Sequence, residues 1–368
     1  MAAARLVEIL NMGALNAALA IGYKNGLFEA MDSLENPSNC STIAAVAGCH
    51  PRYVKEWLSV MVCGDIVSLT AKEGEEDLFF LPRELGDLLC QRAGAGNLGV
   101  YMQEIPLLTS LALPQVSAAF KTGNGVGYKN YEEFYDFMTE LSVGKHQRTL
   151  CSTFLPSVDD GRLETLLKEG IRVCDIGCSE GTEVILMAEA YPHSTFVGID
   201  LVASVIESGR QRAAQKQLTN VQFICADAAH FLDDDNVDNV SRVEYQQLVG
   251  TFDYVLAIDA IHDQQSPERA LQHIHSLLRD GGHFSLIDIK ASSSLAKNTS
   301  HSMGTFLYGV SMLHCLPVGL DGLGAGLGMM WGRERAESML VEAGFSAEKI
   351  KIMEMVDDSF NMHFYCQK

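Results

Sequence analysis

The spacing of apolar residues changes character near position 170. Before it, apolar positions recur mostly at helical intervals. After it, short apolar runs alternate with helical stretches. Residues 1–32 read as a helix that is apolar on more than one face, through Leu6, Val7, Ile9, Leu10, Met12, Leu15, Ala18 and Ile21. Such a helix requires burial, and at a chain terminus a second subunit can supply it, which predicts a homodimer. Ser41 is placed to cap a helix over Thr42–Ala47 that stops at Gly48, and His50-Pro51 opens another. In that second helix Tyr53, Trp57, Leu58 and Met61 fall on one side. Ile66–Leu69, a polar turn at Lys72–Asp77 and Leu78–Leu81 then predict a β-hairpin. Three helices followed by a hairpin is the order of a winged helix. Residues 129–155 read as helical, with Tyr128, Tyr131, Phe134, Tyr135 and Phe137 crowded at their start.

From 171 the alternation predicts a mostly parallel, doubly wound sheet. Its strands are 171–176, 195–199, 220–225, 251–258 and 283–289, and two further strand-like stretches close the chain at 348–356 and 360–366. The insertion 233–250 is acidic and reads as a solvated loop or helix. The first strand turns on Gly177 and Gly181 into a helical stretch, so free backbone N–H groups face whatever lies above the strand. Three chemistries compete for this loop. As G-x-G-x-x-G it fails, because Ser179 and Thr182 stand where glycines belong. As G-x-S-x-G it matches the nucleophile elbow of a serine hydrolase using Ser179, with His314 or His363 downstream. As a loop preceded by Asp175 it suits a ligand that carries positive charge.

Composition narrows the choice. The 368 residues are 47% hydrophobic, enough for two domains with substantial cores. Net charge is -20, which argues against nucleic acid as a substrate. Residues 1–90 hold six basic and twelve acidic side chains, and the hairpin tip is acidic, so the winged helix is read as a dimerisation or substrate-covering module. The ten cysteines show no C-x-x-C pair and no zinc spacing, so no metal site is expected and reduced thiols in the cytoplasm explain them. No apolar stretch approaches the roughly 18 residues that a membrane span requires, and no signal-peptide pattern is evident, so no membrane partner is expected.

Asp175, Asp200, Asp227 and Asp259 each stand at or just past the carboxyl end of successive strands. Crowded carboxylates repel one another unless a ligand or solvent shares the site. Asp200, 23 residues beyond Gly177, is at the distance of an acid that accepts hydrogen bonds from both ribose hydroxyls. On Val173–Gly181, Val197–Asp200, Cys225–Ala228 and Leu277–Gly282 the chain resembles class I S-adenosylmethionine-dependent methyltransferases. Asp259–Gln264, Ser311–Pro317, Gly324–Trp331 and Glu342–Phe345 extend the resemblance to the winged-helix-headed, mycobacterial-type small-molecule members. The resemblance implies an α/β fold: a Rossmann-like seven-stranded sheet, last strand antiparallel, behind a mainly helical winged-helix domain. It implies S-adenosyl-L-methionine as cofactor, with Gly177 at the methionine end, Asp200 on the ribose and Asp227 near the adenine amino group. The candidate cofactor set is Asp175, Gly177, Cys178, Ser179, Gly181, Asp200, Leu201, Asp227, Ala228 and Asp259. Ser179 departs from the glycine usual in that class, and is acceptable there if its φ is ordinary.

Methyl transfer from a sulfonium chiefly needs two reactants aligned and dehydrated, with a base when the acceptor is a hydroxyl. His262, beside Asp263, resembles the histidine that deprotonates the acceptor in plant-type O-methyltransferases, and the pair is the catalytic candidate; a brace for the next helix is the alternative. Residues 291–333, rich in glycine, read as a lid over the ligand edge. Tyr128, Tyr308, Met312, His314 and Trp331 are candidate walls of the substrate pocket. The expected partition is 1–95 winged helix, 96–160 helical linker covering the site, and 161–368 cofactor-binding domain. The expected reaction is methylation of a small molecule on oxygen or nitrogen. A non-catalytic regulator that binds the same cofactor is the alternative.

Overall fold

The computed structural model describes residues 1–230, 246–356 and 358–368, so the acidic insertion predicted at 233–250 lies outside the described residues up to 245. The chain divides into two compact units, Met1–Ser110 and Leu111–Lys368.

In the first unit the predicted single helix is two, α1 (Ala2–Lys24) and α2 (Leu27–Asp32). Gly26 separates them at φ 66°, a left-handed conformation that glycine adopts without steric cost. By length and composition α1 is able to cross a membrane (23 residues, mean hydropathy 1.4), which corrects the sequence reading. One of its faces is packed, however. Trp57 Nε1 donates to the Ala18 carbonyl at 2.9 Å, and a Cβ on Gly22 would meet the same indole at 2.6 Å. Asn39, and not Ser41, caps α3 (Cys40–Ala47) by accepting from the Thr42 N–H at 2.9 Å. In α4 (Pro51–Cys63) the buried side chains are Val54, Trp57, Leu58 and Met61, while Tyr53 is exposed. The wing is shorter than expected: β1 (Ser68–Thr70) pairs antiparallel with β2 (Leu78–Phe80).

The second unit is built on a seven-stranded sheet. Its strands are β3 (Arg172–Ile176), β4 (Thr195–Asp200), β5 (Val221–Cys225), β6 (Phe252–Ile258), β7 (Leu278–Ile289), β8 (Ile350–Met355) and β9 (Asp358–Gln367), in the order β5-β4-β3-β6-β7-β9-β8. β9 pairs antiparallel with both of its neighbours, and β3–β7 are parallel among themselves. Burial on both faces follows from the near-continuous apolar runs. Cys174 and Ile176 enter one core, with Val255, Leu286 and Phe345; Val173 enters the other, with Val184, Ile206 and Tyr254. The strand order reverses between β3 and β6, and such a switch point opens a crevice at the carboxyl ends of the strands.

The stretch 291–333 carries helices Leu295–Asn298, Gly304–Leu313 and Cys315–Leu320. It is tied down by backbone hydrogen bonds, Ala325 N–H to Gln265 O at 2.8 Å and Val126 N–H to Pro317 O at 2.9 Å.

Candidate active site

The crevice begins at the end of β3. Gly177 and Cys178 donate their N–H groups to the Ile199 carbonyl at 2.8 and 3.2 Å, which folds the loop back over β4. Gly177 has φ 75°, and a Cβ there would lie 2.5 Å from Ala260 Cβ, so this position requires glycine. Ser179 does not have the ordinary φ expected of it. It sits at φ 48° with its hydroxyl buried and unpartnered. Among the described residues no histidine is hydrogen-bonded to that hydroxyl, as the base of a serine hydrolase would be. Gly181 is structural, since a Cβ there would strike the Phe223 ring at 2.3 Å.

Asp200, at the end of β4, accepts the Ser179 N–H at 2.9 Å on one oxygen and the Val202 N–H at 3.0 Å on the other. Burial raises its pKa, and those N–H groups oppose the rise. Asp175 is 3% exposed, and one of its oxygens has no partner. Burial, then the neighbouring Glu183 and Asp200, lifts its pKa well above the carboxylate range. Burial works against the Glu183 carboxylate as well, but His146 outweighs it with a 2.5 Å hydrogen bond and lowers the Glu183 pKa. Asp227 accepts the Ala229 N–H at 2.8 Å and lies 2.9 Å from His230 Nδ1. Asp259, at φ 48°, accepts from Asn361 Nδ2 at 3.0 Å and lies 3.8 Å from Lys145 Nζ. Burial raises its pKa, with Lys145 pulling the other way.

These residues line a cavity of about 1360 Å³, measured with its open mouth. Asp175, Gly177, Cys178, Ser179, Asp200, Leu201, Asp227, Ala228 and Asp259 are all on its wall. Tyr128, Phe134, Tyr135, Met138 and Lys145 join them from the segment before β3, and Asp263, Gln264, Gln265 and His314 from the segments after β6 and β7.

His262 is not on that wall. It is 2% exposed, with Nδ1 2.8 Å from Asp288 and Nε2 3.5 Å from Asp263. Burial alone would lower its pKa, but Asp288 and Asp263 overcome it and raise the pKa well above 6.5. A base must reach the proton that it takes, and the His262 ring nitrogens here face Asp288 and Asp263. Donor atoms of His262, Asp263 and Cys315 also lie within 4.8 Å of one another. His314, by contrast, is on the wall, and burial lowers its pKa against the opposing pull of Asp263.

Three expected pocket residues lie elsewhere. Trp331 is 4% exposed in the core on one face of the sheet, and Met312 is 41% exposed. The Tyr308 hydroxyl is 3.0 Å from Asn298 Nδ2, beside a small apolar cluster around Ile289 and Leu307. Four residues were missed. Asp288, at the end of β7, carries the same strand-end signal as the other acids. Lys145, His146 and Glu183 gave no comparable pattern, because folding alone brings their helices to the crevice.

The comparisons with known proteins agree with this geometry. Residues 167–344 match the methyltransferase-domain family model, and residues 13–91 match the Rv2258c-like winged HTH domain. A malonyl-[acyl-carrier protein] O-methyltransferase of Paenibacillus sp. is 22% identical over 200 residues, 54% of this chain. The chain spans 64% of that relative's length. An O-methyltransferase family protein from Burkholderia thailandensis superposes with a TM-score of 0.67 at 13% identity, over 100% of this chain and 98% of that one. The human N-acetylserotonin methyltransferase in complex with SAM gives 0.62 at 14% identity, over 100% and 98%. At such identities the likeness is one of fold.

Proposed function

Since residues 167–344 are a methyltransferase domain and residues 13–91 an Rv2258c-like winged HTH domain, we propose that the chain transfers a methyl group from S-adenosyl-L-methionine to a small-molecule acceptor. The observation that carries this reading is the convergence of Asp175, Asp200 and Asp227 on one cavity behind a glycine turn. The unpartnered polar atoms on that wall, at Asp175, Ser179 and Asp259, suit a ligand with several hydrogen-bond donors and acceptors. When bound, the cofactor supplies a methyl carbon already activated by a cationic sulfur.

The remaining work belongs to the protein. Asp200, its carboxylate held by the Ser179 and Val202 N–H groups, would accept from the ribose hydroxyls. Asp175 and Glu183 would hold the ammonium end of the methionine tail, with Gly177 allowing a close backbone approach, and Asp227 and Ala228 would hold the base. On the acceptor side, Asp263 and His314 are in contact with the cavity, and His262 steadies Asp263 from behind.

Calorimetry of the full chain with S-adenosylmethionine and S-adenosylhomocysteine tests the assignment. The expected result is binding of both, lost for the most part in Asp200→Ala; no heat at high micromolar ligand would refute it. The chain is placed in the cytoplasm, in keeping with ten free cysteines. It is assigned as a homodimer through the exposed apolar residues of α1, Leu6, Val7, Ile9, Leu10 and Met12. The winged HTH domain favours one second reading, a regulator that binds the same cofactor without turnover. A duplex-DNA titration at low salt separates the two, and the acidic wing predicts no binding.

A further inference from the structure

The acceptor half of the cavity is lined by aromatic rings and by a carboxylate. Tyr128 and Tyr135 stack at 6.4 Å between ring centroids. Phe134 packs on His314 at 4.7 Å, and all four rings are on the wall. Asp263 is on the same wall; it is 9% exposed, and its buried Oδ1, turned toward His262, has no hydrogen-bond partner among the described residues. His262 is the cation nearest to that oxygen, at 3.5 Å, but its imidazole is held more closely by Asp288, at 2.8 Å. Two carboxylates therefore flank one imidazole, and the closer of them is Asp288. His314 is not a counter-ion for Asp263: its Nδ1 stands 3.6 Å from Asp263 Oδ2, and burial favours the uncharged ring.

The other basic side chains on the wall are engaged elsewhere. Lys145 binds Asp358 at 2.8 Å and approaches Asp259, and His146 binds Glu183. The unpaired hydroxyl of Tyr135 adds a further polar group without a partner in the same half of the cavity. Aromatic faces and a carboxylate on one wall are together the chemistry that recognises an ammonium group on an aromatic body. A carboxylate or phosphate ligand would meet like charge there.

Building on the cofactor assignment above, we propose that the methyl acceptor is a small aromatic amine, its ammonium group anchored on Asp263 and its ring held against Tyr128, Phe134 and Tyr135. The proposal concerns which molecules enter, and the anchor orients whichever atom of the acceptor faces the cofactor.

A matched probe series tests it on the full chain. Tyramine, tyrosol and 4-hydroxyphenylacetate share one phenol ring and differ in an ammonium, an alcohol or a carboxylate at the end of a short side chain. Each is titrated by ligand-observed NMR, with and without saturating S-adenosylhomocysteine. Tyramine should bind about tenfold more tightly than tyrosol, with the carboxylate weakest. Asp263→Asn should abolish the preference for tyramine over tyrosol. Tyr128→Leu should weaken tyramine while S-adenosylhomocysteine still binds, which shows that the variant is folded. Equal or tighter binding of the alcohol or the acid, binding of no probe, or a preference that survives Asp263→Asn would overturn the proposal. Failure of S-adenosylhomocysteine to bind would instead strike at the cofactor assignment, and the probe ranking without it would still decide the present one.

Discussion

His262 illustrates how neighbours set the charge of a buried residue. Asp288 and Asp263 raise its pKa above the unfolded value, so its contribution to stability is fully present below a pH of about 6.5. That contribution is lost as pH rises through the elevated folded value. His262→Gln leaves two buried carboxylates without their cation and should destabilise the chain by about 3–5 kcal/mol at pH 6. Urea unfolding should show a smaller penalty in alkaline buffer; a penalty independent of pH would contradict the charged brace. At Ser179, φ 48° is a conformation that a serine adopts only with strain. Ser179→Gly should therefore stabilise the chain by about 1 kcal/mol in the same assay. The residues legible in the sequence were those whose position alone carried meaning: acids at strand ends and the glycine that turns the loop. Asp288 carried the same sign and was overlooked. Lys145, His146 and Glu183 were invisible because their partners are distant in sequence, His146 and Glu183 being 37 residues apart.

At the scale of elements, the strands from β3 to β9 were readable because burial on both faces writes unbroken apolar runs. Caps and short pieces were less so. Asn39 displaced Ser41 as the cap of α3, and Gly26 divided a helix whose apolar pattern runs through it. The stretch 291–333 misled in a different way. Aromatic and sulfur-bearing side chains near a ligand edge read equally as pocket or core, and Trp331 is core, packed with Ala336 and Leu340. Trp331→Ala should thus cost about 3–5 kcal/mol of stability. S-adenosylhomocysteine affinity, measured by calorimetry below the transition, should stay unchanged. A large loss of affinity without a loss of stability would return Trp331 to the pocket.

For the whole molecule, the order of winged helix first and doubly wound sheet second was legible from the change in apolar period near residue 170. The boundary was not. The sequence suggested a linker over 96–160, whereas residues from 111 onward group with the sheet. Part of that segment, from Tyr128 to His146, builds the cavity wall. Homodimerisation is a property at this scale, and Leu6→Glu with Leu10→Glu on the exposed face of α1 should convert dimer to monomer in sedimentation velocity. A wild-type chain that sediments as a monomer would contradict that assignment and leave the cavity untouched. The most direct measurement is a crystal structure of the chain with S-adenosylhomocysteine. The account predicts the nucleoside in the cavity, its ribose on Asp200, its base beside Asp227 and its amino-acid tail toward Asp175. Density for the ligand at another place, or an empty cavity at saturating ligand, would contradict it.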